Sequence, residues 1–259
     1  MSKPVGGSIH TANMLGLFNA LTDRERTRRA NRQLGCVLAF VAGAINAGGF
    51  LAVNRYTSHM TGIISGIADD LVLGELALVL AAIAFLATFI GGAAVCAIMV
   101  SWARRRDMRG QFVLPLLLEA ALLLLFGVLG PNLDKMVELF VPATVLLLCF
   151  IMGLQNAVLT KISHAEIRTT HMTGVVTDLG IELGRLAYWN QTKGEGTPII
   201  RADRDRLAIL GAILGFFLLG GITGAAAFKA VGYVAVLPVA ALLVAISLPP
   251  LLVDWRRRQ

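Results

Sequence analysis

Charge is scarce in this chain. Only 15% of its 259 residues are Asp, Glu, Lys or Arg, where a soluble domain carries about a quarter. The known catalytic signatures are missing too. There is no HExxH, GxSxG or P-loop, and Ser, His and Asp come near one another only across Ser58–Asp70, with no order that would orient a base. No catalytic residue, no enzymatic activity and no cofactor are therefore expected. Cysteine is limited to Cys36, Cys96 and Cys149, all inside apolar runs and without CxxC spacing. That excludes a disulfide framework and a thiolate metal cluster, and leaves them as small core residues. No apolar core follows Lys3, which speaks against a secretory signal.

The chain has apolar length instead. Hydrophobic residues make up 56% of it, and mean hydropathy is +0.74. Nearly uncharged runs occupy Leu34–Val53, Leu76–Trp102, Phe112–Gly130, Phe140–Leu159, Leu207–Phe228 and Val231–Val253. Each is long enough for a helix to cross a hydrocarbon core of about 30 Å. They are apolar on every side, which distinguishes them from surface helices. They lack the alternation of a barrel, the other structure that lipid permits. The expectation is an all-α, multi-pass protein of the cytoplasmic (inner) membrane.

The net charge of +7 and pI near 9.8 would suggest nucleic acid in a soluble protein. Here the cations sit in short blocks beside the apolar runs, as membrane topology requires, and no nucleic-acid partner is expected. Near the N-terminus Met14, Leu17, Phe18 and Leu21 recur at helical spacing and lead into Arg24, Arg26, Arg28, Arg29 and Arg32. Two readings stay open: a short helix lying on anionic lipid, or a disordered tail.

One passage occurs twice. Ser58-His59-Met60-Thr61-Gly62 returns as Thr170-His171-Met172-Thr173-Gly174, and Gly43-Ala44-Ile45-Asn46-Ala47 returns as Gly153-Leu154-Gln155-Asn156-Ala157. Downstream, Phe89-Ile90-Gly91-Gly92 resembles Leu218-Leu219-Gly220-Gly221, and Leu114-Pro115 resembles Leu237-Pro238. Four matches in one order point to a duplication of a kind common in transporters. The division that follows is a cytoplasmic segment at 1–33, membrane repeats at 34–130 and 131–253, and a basic cytoplasmic tail at 254–259.

The stretches Met60–Leu71 and Met172–Leu183 are each about 18 Å long as helices, half a membrane. Positive charge, which collects on cytoplasmic loops, decides whether they cross. If both are re-entrant and the N-terminus is inside, only Arg55, Lys135 and Lys229 of the 23 Lys and Arg lie outside. If both cross, Arg55, Arg104, Arg105, Arg106, Arg109, Lys161, Arg168 and Lys229 all lie outside. The re-entrant arrangement is expected: six transmembrane helices, two half-helices, both termini cytoplasmic. Three full crossings per half make the repeat inverted, with the half-helices entering from opposite faces.

Non-helical backbone at membrane depth survives only where protein buries it or a cavity meets it. A half-helix beginning there offers free N–H groups and a partial positive charge. Thr61 and Thr173 could cap these starts, and Gly62 and Gly174 allow close approach. A small polar or anionic solute is the expected ligand, with Asn46, His59, Met60, Thr61, Gly62, Asn156, His171, Met172, Thr173 and Gly174 as candidate binding residues. The alternative is that Thr-Gly only packs the two halves together. A two-His, two-Met metal site is disfavoured, because adjacent His and Met cannot both face one point without a kink, and no metal is expected. Glu119, several residues inside an apolar run, and Asp178, one turn past the second tip, are candidate proton relays. Glu119 has a bland reading as well, reaching the interface beside Arg104–Arg109. Gly211 and Gly215, like Gly220 and Gly224, have the spacing of close helix packing, within the chain or in a homo-oligomer.

The passages Ala42–Phe50, Met60–Gly62, Gly153–Ala157 and Arg168–Thr170 with Thr173-Gly174 resemble the YoaK-like family of uncharacterised bacterial multi-pass membrane proteins, over roughly residues 33–253. The resemblance implies a membrane location. It also implies Asp where this chain has Asn46 and Asn where it has Ile63, and it does not include either His reliably. The expected function is a transporter or channel whose partners are lipid and a small-molecule or ion substrate. The alternative is a membrane accessory or assembly protein, with a membrane-embedded enzyme behind both.

Overall fold

A computed structural model describes residues 28–53, 56–108, 110–132, 137–162, 172–188 and 201–256. The described residues form helices and turns, with no strand among them. The expected helix at Met14–Leu21, the residues Arg55, Lys135, Arg168 and His171, and the last three residues of the tail lie outside the described residues.

Among the described residues eight α-helices follow one another: α1 Arg28–Val53, α2 Met60–Leu73, α3 Leu76–Arg105, α4 Val113–Leu129, α5 Val137–Ile162, α6 Met172–Ala187, α7 Arg204–Val231 and α8 Val236–Arg256. Four stretches of the described residues are long and apolar enough to cross a membrane: Arg32–Val53, Leu76–Arg105, Val141–Lys161 and Arg204–Leu252. The last contains α7 and most of α8, parted by a 3-10 turn at Gly232–Ala235 that opens on Gly232 at φ 64°. Helix α4 is as apolar but shorter. The chain is a membrane protein. Helix α2 is brief because Gly74, at φ 78°, closes it in the left-handed conformation open to glycine. The N–H of Glu75 then returns to the carbonyl of Asp70 at 2.9 Å.

Burial separates centre from periphery. In α1 and α5, 56% and 61% of the spanning window is buried within the protein, against 11% in α3. Helices α1 and α5 are thus the core, and α3 turns Leu80, Ile90 and Ile98 outward. Such a face is stable against lipid tails and would not be in water.

Two pairs of helices are joined by the same device. Phe40-x-x-Gly43 on α1 meets Phe217-x-x-Gly220 on α7: a Cβ on Gly43 would strike the carbonyl oxygen of Phe217, and one on Gly220 that of Phe40. Phe89-x-x-Gly92 on α3 meets Phe150-x-x-Gly153 on α5 in the same reciprocal way. With no Cβ at these four places, backbone packs on backbone, the contact that holds helices together where lipid removes the hydrophobic drive. Each half of the chain thus clasps the other. The clasp also shifts one sequence match by a residue, since Gly92 corresponds to Gly220 and not to Gly221.

Contacts give the helix directions. Phe40 meets Gly220, Ala44 meets Gly224 and Gly48 meets Phe228, so positions advance together and α1 runs parallel to α7. Gly110 meets Pro250, Gly127 meets Val236 and Gly130 meets Tyr233, so α4 runs antiparallel to α8. Helix α2 lies on α3, and α6 on α7.

Candidate functional site

The first repeated tip is held by α1. Ser58 donates its hydroxyl to Asn46 Oδ1 at 2.6 Å, and Tyr56 stacks on Phe50 with ring centroids 4.4 Å apart. Thr57 between them is buried. The chain leaving α1 is therefore folded back along that helix before α2 begins. Asn46 is half-buried, and its side chain serves the approach to the tip.

The start of α2 differs from the expected cap. His59 occupies the N-cap position without a side-chain hydrogen bond, and Met60 opens the helix. Thr61 is already inside the first turn, exposed, with its hydroxyl in no capping role. Gly62 makes room for the His59 ring, which a Cβ at that place would overlap. Met60 and Gly62 are half-buried.

The second tip is described from Met172 onward. Thr173 is again the second helical residue and exposed, and its carbonyl accepts from Thr177 Oγ1 at 2.8 Å. Gly174 is half-buried. Met172 packs against an apolar cluster of Ala39, Val175, Leu210 and Ile213, the role of a packing residue. Asn156 donates to the carbonyl of Met152 one turn back on its own helix, at 2.8 Å.

These contacts bring both tips to α1. Asn46 holds the approach to α2, while Ala39, two turns earlier, belongs with Leu210 and Ile213 of α7 to the apolar cluster that Val175 of α6 joins. The two points are about 10 Å apart along the axis and straddle Gly43, the middle of the span Arg32–Val53. The short helices α2 and α6 share no extensive contact with one another. What relates the two tips is α1, directly at Asn46 and through the cluster it shares with α6 and α7 at Ala39, a connection that no motif in either repeat signals.

Of the two candidate relays, Asp178 forms an ion pair with Arg206 at 2.9 Å, both side chains well exposed. Glu119 is different. It is fully buried, and neither carboxylate oxygen has a hydrogen-bond partner. Arg104, a candidate to reach it, instead donates Nε to Gln111 Oε1 at 2.7 Å. Glu182 is buried but satisfied, accepting the N–H of Asp203 at 2.9 Å and Arg185 at 2.8 Å. It thereby ties the end of α6 to the start of α7. Among the described residues two further polar side chains are buried without partners: Thr144, and Gln155 through both amide atoms. Gln155 stands inside the repeated Gly-x-x-Asn-Ala passage, yet only tertiary burial marks it out.

A small apolar cavity of about 30 Å³ opens beside Gly48 and Gly49, walled by Leu123, Phe126, Gly224 and Phe228. Phe126, Phe228 and Tyr233 pack edge-on and stacked at its side, with centroids 4.9–6.3 Å apart. Among the described residues no group of three or more His, Cys, Asp or Glu could hold a metal.

No curated protein and no solved structure matches the chain. Residues 34–248, the whole of the helical bundle from the first core leucine almost to the end of α8, match the family described as Protein of unknown function (DUF1275), and the chain belongs to that family.

Proposed function

We propose that the protein carries a small polar or anionic solute across the cytoplasmic membrane, with its site where two half-membrane helices approach α1. The observation that carries this reading is the pair of helix directions. If the six long helices all cross, α7 can run parallel to α1 while α8 opposes α4 in one case alone: α2 and α6 must each return to the face they entered from. Any other combination reverses at least one of the two relationships. This supports two re-entrant segments of opposite entry and an inverted repeat over 34–130 and 131–253, and it agrees with the distribution of Lys and Arg.

In such an arrangement Met60-Thr61-Gly62 and Met172-Thr173-Gly174 begin helices at depth; the carbonyl of Ser58 takes the N–H of Met60 at 3.0 Å, which leaves those of Thr61 and Gly62 for a solute's acceptor atoms. The exposed hydroxyls of Thr61 and Thr173 add a donor at each tip. Asn46 supports the first tip through Ser58. The two Phe-x-x-Gly clasps join each half to the other, which suits alternating access by rocking of one packed unit against its mate.

The test is uptake into liposomes holding the purified protein, surveyed over small anions, amino acids and other small polar solutes. Thr61→Val and Thr173→Val should each abolish flux of the accepted solute while the protein remains monodisperse. Absence of flux for every solute, together with a stable co-purifying partner, would favour the accessory reading. The open faces at Gly211 and Gly215, with nothing within 4 Å, would then be the surfaces to examine.

A further inference from the structure

Four polar atoms inside the bundle have no partner and are complementary to one another: both oxygens of Glu119 and both amide atoms of Gln155. Each residue is fully buried. They lie on α4 and α5, which pack against each other, and each is about 10 Å from the open end of that hairpin by helical rise. Cys96 on α3 lies within electrostatic reach of Glu119 and of Lys161 at the end of α5. The other titratable group on α5's buried face is Cys149, and α8 carries no ionisable residue from Leu237 to Leu252.

A carboxylate with neither counter-ion nor donor is costly in a dry interior, and the cost is removed by a proton or a cation. The chemistry of the neighbours favours the proton. Hard divalent cations take six or more oxygens, and Gln155 offers one. A carboxyl group bearing a proton has one donor and one acceptor, as has the face of a carboxamide. The acid O–H can then donate to Gln155 Oε1 while Gln155 Nε2 donates to the other oxygen of Glu119, and all four atoms are satisfied at once.

We propose that Glu119 and Gln155 form an intramembrane proton site, in which one proton closes a carboxyl–carboxamide pair and its departure opens it. The inference rests on the transport reading and names its coupling ion. The proton comes from water on one face, is held on a Glu119 oxygen, and returns to water without any other bond being made. The site belongs to one half of the repeat. The matching positions in the other half are Leu242 and Ile45, so coupling would be tied to the α3–α4–α5 side.

Infrared spectroscopy of the purified protein tests this without a solute, and therefore separately from the transport reading. The expected result is a carboxylic C=O stretch that grows as pH falls, shifts on transfer to heavy water, is absent from Glu119→Gln and persists in Glu119→Asp. Gln155→Met, apolar and close in size, should keep the band but move its frequency and its pH midpoint. A band that never exchanges with deuterium, or one that Glu119→Gln leaves in place, overturns the proposal. So does a Gln155→Met band identical to wild type, or a band set by sodium and not by pH. Should Glu119→Gln fail to fold, the Gln155→Met comparison decides alone.

Discussion

Ser58, on the approach to α2, donates to Asn46 of α1 at 2.6 Å, so the side chain two turns from one end of the first span positions the first repeated tip. Asn and Ser are uncharged, yet each would be costly unpaired at this depth. The pairing explains why α1 carries a polar residue in an otherwise apolar run. It also leaves Asn46 bound to the protein.

That pairing predicts a coupling energy. Asn46→Ala and Ser58→Ala should each destabilise the purified protein by about 1 kcal/mol. The double variant should lose less than the two together, with an interaction of at least about 0.5 kcal/mol. Thermal unfolding in detergent measures all four corners. Strict additivity would mean that the hydrogen bond does not hold the tip.

The clasps predict a sharp contrast among glycines. Gly43→Val and Gly220→Val place a side chain on a carbonyl of the neighbouring helix and should cost about 3 kcal/mol or more, since neither backbone can yield. Gly92→Val and Gly153→Val should behave alike, because the second clasp repeats the first. Gly211→Ala, with nothing within 4 Å, should be neutral or gain up to about 1 kcal/mol. The fraction of monodisperse protein left after heating separates the two classes.

The second tip can be located by crosslinking. Ala39 and Val175 pack in one apolar cluster, and a disulfide needs Cα atoms within about 7 Å. Ala39→Cys with Val175→Cys, in a background without other cysteines, should form an intrachain disulfide under mild oxidation. Failure of the pair to close, with both thiols shown reactive, would remove α6 from the middle of α1.

Topology is open to a single label. Asp107 follows the basic end of α3 and is exposed, and the re-entrant arrangement puts it in the cytoplasm. Asp107→Cys in a cysteine-free chain should resist an impermeant thiol reagent in intact cells and react after lysis. Ready labelling from outside would require α2 to cross and would end the re-entrant reading.

The sequence by itself determined the parts of this protein that depend on local composition. Six apolar runs too long and too uncharged for water made the chain a helical membrane protein, and all six became helices at nearly the expected positions. The recurrence of Met-Thr-Gly marked two short helices, and both begin at the Met, Met60 and Met172. Hydropathy and repetition are carried by neighbouring residues, so they can be read along the chain.

Which helix touches which was decided by tertiary structure. The pairing of α1 with α7 and of α3 with α5 exchanges partners between the two halves. It depends on where a missing Cβ lets two backbones meet: Gly211 and Gly215 are spaced as Gly220 and Gly224 are, yet a Cβ on either would meet nothing within 4 Å. The N-cap of α2 fell on His59 instead of Thr61, because a cap depends on backbone angles that residue type only biases. Gln155 reads in sequence as one residue of a repeated passage. It becomes the complement of Glu119 only when α4 and α5 pack together and bury both, because an unpartnered polar atom is a property of its surroundings and not of its own residue.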